Sequence, residues 1–300
     1  MSSQPNDTTK LDPAASVARL LALLDVEPLE ADLFRGQSTN AGWMRVYGGQ
    51  VVAQALMAAS KTVPADRLCH SLHSYFIRAG DPKHPIVYRV ERDRDGQSFT
   101  TRRVVAIQHG RPIFNLAASF QVAEEGLSHS FPAPAAPPPE GLANEAELTI
   151  KRAEHAPEPY RTLWLNRDRP IEFRPIDPVD LLNPVVHAPQ IQHWCRLASP
   201  ADVTPAVARA LFAYASDMTM LDVCLLPHAV AWTNPALQGA SLDHAIWFNT
   251  TPDMNAWLLF DQDSPVSGGA RGLNRALVYS QSGEQIATVM QEGLIRYRSG

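Results

Sequence analysis

Cysteine is scarce: Cys69, Cys195 and Cys224 are the only three in 300 residues. They are odd in number, widely separated and set in apolar segments, which excludes a disulfide framework and a cysteine-based metal site. Reducing surroundings follow. No stretch reaches the roughly 18–20 apolar residues of a membrane span, and the opening Met1-Ser-Ser-Gln-Pro-Asn-Asp-Thr-Thr lacks the charged and apolar regions of an export signal. Arg296-Tyr-Arg-Ser-Gly300 is not a Ser-Lys-Leu type of peroxisomal address, so a cytoplasmic location is expected. Excess positive charge is missing too: a net charge of −5 argues against nucleic acid as the main partner. There is no Gly-x-Ser-x-Gly elbow, no Walker loop and no clustered His/Cys/Asp ligand spacing, and hence no expected metal or cofactor.

What remains is an ordinary globular composition, 45% hydrophobic and 19% charged, in a chain long enough for two domains. Residues 1–14 are polar and read as disordered, with Ser16–Leu24 a short amphipathic helix. Phe34–Ser38 and Trp43–Tyr47 read as a hairpin with Asn40-Ala-Gly42 near its turn. Gly48–Ala59 reads as a helix apolar almost all round, interrupted by Gln50 and Gln54. Alternating segments follow at Leu68–Ile77, Pro85–Arg92, Ser98–His109 and Pro112–Val122, punctuated by Asp95-Gly96 and His109-Gly110. This predicts an antiparallel meander wrapped around one helix over residues 15–125. Five prolines between Gly126 and Ala143 exclude a helix or central strand there, so residues 126–160 read as an extended linker.

Residues 161–300 repeat the pattern. Two short strands, Pro170–Pro175 and Gln190–Arg196, precede a second apolar helix and further strands. Phe76 matches Phe248, Gly110 matches Gly283 and Arg103 matches Arg275, an offset near 172 residues. Two copies of helix plus sheet can pair edge to edge, as a homodimer of single copies would. They differ where chemistry would matter: the first helix carries Gln50 and Gln54, the second ends in Ala213-Tyr-Ala-Ser-Asp-Met-Thr-Met-Leu221.

Thr204 and Pro205 form a cap and first turn for that second helix, which is apolar on nearly every face and so should be buried. An aspartate there needs polar company, because desolvating the ion costs several kcal/mol. The candidates lie downstream, in Gly239-Ala-Ser241-Leu-Asp-His and Val289-Met-Gln291-Glu-Gly293. A carboxylate at Asp217, a hydroxyl at Ser241 and a carboxamide at Gln291 can jointly hold a water: the first accepts its proton and the others fix its direction. Direct water attack is the matching chemistry, and a structural aspartate held by N–H groups is the alternative. Histidines His70, His73 and His244 sit near strand positions and read as structural. Ser241, Asp243 and His244 have the residue types of a triad, but strand alternation turns His244 away from the other two.

The chain resembles the type-II acyl-CoA thioesterases (TesB-type), which are double-hotdog proteins. The resemblance runs from about Ala15 to Arg298. It rests on Leu33-Phe-Arg-Gly-Gln-Ser38, Val46-Tyr-Gly-Gly-Gln-Val-Val-Ala-Gln-Ala55, the block His70–Asp81, Tyr214-Ala-Ser-Asp217, Ser241–Phe248 and Gln291-Glu-Gly293. It implies an α+β fold of two antiparallel sheets, each wrapped around a central helix, and hydrolysis of acyl-CoA to fatty acid and CoA. It also implies that Asp217, Ser241 and Gln291 activate the water. Ser241 is the smaller of the family's two hydroxyl choices, and Asn249 stands where a histidine is common. The acyl chain should lie in an apolar slot, with Arg271, Arg102 and Arg103 as cationic contacts for the nucleotide or, equally, as strand-face charges. A non-catalytic acyl-CoA-binding hotdog is the rival reading. A hydratase is disfavoured because Asp217 has no histidine four or five residues on. Exposed sheet edges suggest a homodimer or homotetramer.

Overall fold

In the computed structural model, residues 12–39, 45–158, 160–180 and 182–298 are described. The chain begins with α1 (Pro13–Leu24), whose first turn is capped by Asp12 accepting the Ala14 amide. Two short strands, β1 (Glu27–Glu30) and β2 (Leu33–Gly36), lead to α2 (Gly48–Ser60), buried from Gly49 to Ala59. Four long strands follow: β3 (Arg67–Phe76), β4 (Ile86–Asp95), β5 (Phe99–Gln108) and β6 (Arg111–Val122). Helices α3 (Glu145–Ala153) and α4 (Tyr160–Leu165) precede strands β7 (Ile171–Pro175) and β8 (Gln190–Leu197). Then come α5 (Pro205–Ser216), started by Thr204 as its cap, and the single turn α6 (Met220–Val223). The chain finishes with β9 (Leu237–Ser241), β10 (Asp243–Phe248), β11 (Leu258–Gly268), β12 (Arg271–Ser280) and β13 (Gln285–Tyr297).

The strands make one antiparallel sheet in the order β1-β2-β4-β5-β6-β3-β10-β13-β12-β11-β8-β7, with β9 added on β13. The run β2-β4-β5-β6-β3 is repeated in reverse as β10-β13-β12-β11-β8, so each half has the same five-strand connectivity, one strand before its helix and four after it. The halves join where β3 pairs with β10. There His73 faces Ala245, Ser74 faces His244 and Leu72 faces Ile246. His73 and Ala245 are 172 positions apart (245 minus 73), the repeat offset itself. The pseudo-twofold relating the halves therefore passes through this pair. The outcome is a double hotdog in which α2 and α5 pack on each other inside the wrapped sheet and share one apolar core.

Several expectations need correction. β2 pairs with β1 and β4, and residues 45–47 form no strand; residues 40–44 of the expected hairpin, its turn included, lie outside the described residues. The polar N-terminus becomes helical at Pro13, and residues 1–11 lie outside the described residues. The stretch 126–160 is more than a spacer, since it contains α3 and a one-turn 3-10 segment at Pro139–Gly141. Its proline-rich part packs as a strap on the outer face of the second half. Trp194 donates its indole N–H to Pro137 O at 2.9 Å, Arg174 binds Pro139 O at 2.8 Å, and Ala133, Ala136 and Leu142 cover Trp194, Trp257 and Tyr279. The run Pro205–His228 is long and apolar enough to cross a membrane by length and composition, contrary to the reading above. It is broken at Asp217 and 67% of its apolar window is buried in the core, the pattern of a core helix.

Gly48 and Gly49 are required by how closely the helices meet. A Cβ at Gly49 would lie 2.5 Å from Tyr214 O, and one at Gly48 would lie 2.7 Å from Asp217 Oδ2. The Tyr47 hydroxyl closes the same junction by donating to Tyr214 O at 2.8 Å. Gly49→Ala is expected to lower stability by about 1–3 kcal/mol, the usual cost of overpacking a tight contact. Urea unfolding of the variant checks it, and a midpoint unchanged from wild type would contradict the packing described.

Candidate active site

Asp217 is the residue that ends α5. It sits where the C-terminus of α5 meets the N-terminus of α2, on the wall of a cleft of about 890 Å³ that also exposes Tyr47, Gly48, Phe76, Ser241 and Leu242. It is partly open to the cleft rather than sealed in the core. Burial is still the largest influence and pushes its carboxyl above the ordinary range. The His244 ring, the Gln291 carboxamide, the Gly49 N–H and the Ser241 hydroxyl oppose that shift. Its Oδ1 is buried without a hydrogen-bond partner among the described residues, while the residue as a whole lines the cleft.

Ser241 and Gln291 come to the same place from different strands. Gln291, fully buried on β13, donates its Nε2–H to Ser241 Oγ at 2.8 Å. Ser241 faces the cleft, whereas Gln291 stands behind it and does not line the cleft. The three residues singled out by sequence are therefore one cluster, with two of them at the surface of the cleft.

His244 is also part of it, and the sequence reading missed this. Alternation along an unbroken strand would turn His244 away from Ser241, but the strand is not unbroken. Ser241 is opposite Gly293 and Ala245 is opposite Met290, leaving residues 242–244 against only 291–292. That extra residue is a β-bulge, a feature that re-aims side chains beside active sites. Asp243 holds the bulge by accepting the Glu292 amide at 2.7 Å, so it is engaged with backbone. The buried His244 ring now contacts Gln291 Oε1 through Nδ1 at 2.5 Å and Ser216 Oγ through Nε2 at 2.9 Å. Its other neighbours by sequence type stay outside: His70 contacts Ser119, and His73 packs edge-on against Trp247.

The three arginines chosen from sequence do not line this cleft. Arg102 is 1% exposed, and its guanidinium is spent on Thr62, Asp95 and the carbonyls of Arg94 and Thr101. A ligand cannot reach it. Arg103 lies on the outer face paired with Glu91, its partner across the β4–β5 ladder. Arg275 pairs with Asp263 in the same way on β11–β12, so the pair is a repeated strand-face bridge. Arg271 is exposed and bonded to Glu292 at 2.8 Å. Adjacent-strand carboxylates thus claim both side chains. The cationic residues of the cleft are Arg19, Arg45, Arg78 and Arg167. Arg19 is paired with Asp168, while Arg45 and Arg78 each place one N–H on a backbone carbonyl, of Gly239 and Pro112, and keep further donors. No pattern in the sequence marks them, since Arg19 lies on α1 and the other three on separate loops.

A second cleft carboxyl, Asp222, accepts the Trp232 indole N–H at 2.6 Å and is pushed up to about 6 by burial. Asn249 binds Gln285 O at 3.2 Å, away from the cleft lining. Cys69, Cys195 and Cys224 are free and buried. Among the described residues, Asp81, His84 and His109 bring three metal-competent atoms within 4.8 Å of one another. They lie outside the cleft lining and pair with each other, His84 Nδ1 at 2.8 Å and His109 Nε2 at 3.4 Å from Asp81 Oδ2.

Residues 168–294 match the acyl-CoA thioesterase family, and residues 38–121 match the acyl-CoA thioesterase N-terminal domain. Acyl-coenzyme A thioesterase 8 of Homo sapiens is 39% identical over 297 residues, covering 96% of this chain and 92% of that protein. The solved structure of the acyl-CoA thioesterase II TesB2 of Mycobacterium marinum is 40% identical, covers 94% of this chain and 99% of its own, and superposes with a TM-score of 0.76. A hot dog fold protein of Alicyclobacillus acidocaldarius, 18% identical with a TM-score of 0.75, covers 94% of this chain and 99% of its own and shares the fold. Matched in both halves and along nearly its whole length, the chain belongs to the acyl-CoA thioesterase family.

Proposed function

We propose that this chain hydrolyses acyl-CoA to a free carboxylic acid and CoA, with Asp217, Ser241 and Gln291 holding the attacking water. The observation that carries this reading is the Asp217 carboxyl on the cleft wall, beside a hydroxyl that is itself held by a carboxamide. Asp217 takes a proton from the water, and the resulting hydroxide adds to the thioester carbonyl carbon. The carbonyl oxygen, now an oxyanion, meets the first turn of α2, where Gly48 lines the cleft and the leading N–H groups have no intrahelical partner. The C–S bond then breaks, and the departing thiolate recovers the proton from Asp217.

Leu20, Leu23, Val51 and Phe114 give the cleft an apolar wall suited to the acyl chain, and Arg45 and Arg78 supply free donors for the anionic nucleotide. They replace Arg102, Arg103 and Arg271 in that role. The cytoplasmic setting expected from the sequence goes with this reading, the three cysteines being free and buried. The exposed edge strand β1 favours association into a homodimer or homotetramer, which light scattering after size exclusion would read.

Asp217→Asn should lower kcat on acyl-CoA by about 10²- to 10⁴-fold, the usual contribution of a general base. Ser241→Ala and Gln291→Ala should each cost about 10- to 100-fold, the kinetic equivalent of one hydrogen bond to a charged group. Thiol release followed with a chromogenic reagent measures both, and wild-type turnover by Asp217→Asn would refute the mechanism. Binding of acyl-CoA without thiol release by the wild type would favour the binding-protein reading.

Asp217 also sets a pH dependence. Unfolded, it titrates near about 3.9; folded, its carboxyl titrates higher because of burial. Between the two values the native state binds the proton more tightly, so stability falls as pH rises through the folded value and stays lower beyond it. The acid limb of the kcat profile should therefore lie above the ordinary carboxylate range. Asp217→Asn at pH 7 should match or exceed the wild-type Tm while losing activity. A variant that lost both would assign Asp217 a structural role. Combined Arg45→Ala and Arg78→Ala should raise KM for acyl-CoA with kcat nearly unchanged, and an unaltered KM would remove them from the nucleotide site.

A further inference from the structure

Four side chains stand in a row that runs from behind the cleft to its wall: Ser216, His244, Gln291 and, at the wall, Ser241. Their contacts are 2.9 Å from Ser216 Oγ to His244 Nε2, 2.5 Å from His244 Nδ1 to Gln291 Oε1, and 2.8 Å from Gln291 Nε2 to Ser241 Oγ. His244, Ser216 and Gln291 are each fully buried, so these protein partners must satisfy one another. A row of this kind has a direction, since each contact needs one hydrogen, and two directions are possible.

Asp217 decides between them. A carboxamide has a donating end and an accepting end, and an ionised carboxylate tolerates only the donating one. The Gln291 NH2 group lies 2.8 Å from Ser241 Oγ and Oε1 faces His244, and with this end toward the cleft the carboxamide favours the charged form of Asp217. An oxygen without hydrogen requires the hydrogen on His244 Nδ1. The other nitrogen, Nε2, is then bare in a neutral ring and accepts from the Ser216 hydroxyl. That hydroxyl also lies 3.1 Å from Ala213 O, and its single proton serves one acceptor at a time. Ser74 Oγ donates to His244 O at 2.8 Å and fixes the backbone beneath the ring.

We infer that His244 is a positioning residue: its Nδ1–H locks the Gln291 carboxamide with the NH2 group toward Ser241 and Asp217. It touches neither water nor substrate. Without it the carboxamide can rotate by half a turn and present its oxygen to Asp217, which repels the base and releases Ser241. Ser216 and Asp217 are adjacent in the chain, so the row also ties the strand-borne carboxamide to the helix end that carries the carboxylate. The inference rests on the proposed roles of Asp217, Ser241 and Gln291.

The test begins with the folded wild type. Nitrogen-15 NMR of histidine-labelled protein should show His244 as the neutral tautomer protonated at Nδ1, and an Nε2–H tautomer or an imidazolium at pH 7 would overturn the proposal. Substitutions then read its consequence. An asparagine amide falls near Nδ1 and a glutamine amide near Nε2, so His244→Asn should keep kcat within a few-fold of wild type. His244→Gln should lose roughly 10- to 100-fold in kcat with KM nearly constant, the range for groups that orient a functional side chain. In a Gln291→Ala background, His244→Gln should have no further effect on kcat. Equal losses in both backgrounds, or equal losses for Asn and Gln, would reduce His244 to a packing role. If Asp217→Asn and Gln291→Ala themselves kept full activity, the site reading would fail instead, and the two failures are thus separable.

Discussion

A carboxylate held between two helix ends is the constraint on which the rest of the structure depends. Asp217 stands at the C-terminus of α5, where exposed carbonyls disfavour negative charge, and against the N-terminus of α2, where free N–H groups favour it. The junction works only if the helices approach closely. That is why α2 opens on Gly48 and Gly49, each leaving no room for a Cβ. Two glycines at the head of the first helix thus serve a functional group on the second, 168 residues later (217 minus 49).

The internal repeat explains why one chain has one such centre. Both halves wrap the same five-strand order around a helix, and cross-strand bridges recur at equivalent places, Glu91 with Arg103 and Asp263 with Arg275. The equivalence stops at the polar cluster. Where α5 ends on Asp217, α2 ends on Lys61, which pairs with Asp25 at the surface. At the offset of 172, the counterpart of His244 is Leu72, a fully buried aliphatic residue. The glycines of one copy and the polar groups of the other make a single composite site across the seam. Scaffold and chemistry were divided between duplicates that remained geometrically alike.

Much of this was legible in the chain, and the failures share a cause. Periodicity located β3 to β6 to within three residues at each end, and Thr204-Pro205 marked the start of α5, because those features depend on local order alone. Asp217, Ser241 and Gln291 could be connected because a polar group in an apolar run demands partners. His244 was misjudged because alternation assumes an unbroken ladder, and one extra residue at 242–244 reverses which face a side chain takes. The arginines were misjudged because strand position says nothing about whether a neighbouring strand brings a carboxylate. Composition described the proline segment as a tether, since no local signal reveals that it covers Trp194 and Trp257.

The β3–β10 seam limits how a bulky thioester gains entry. Five residue pairs bind the halves into continuous backbone hydrogen bonding, and α2 lies against α5 beneath them. Swinging the halves apart like a clamshell would rupture that ladder and expose the shared interior at once. Arg45 and Trp232 line the cleft from outside that ladder, neither belonging to β3 or β10. The frame behind the entrance is thus one unit, tied across the seam by backbone hydrogen bonds and by the packing of α2 on α5.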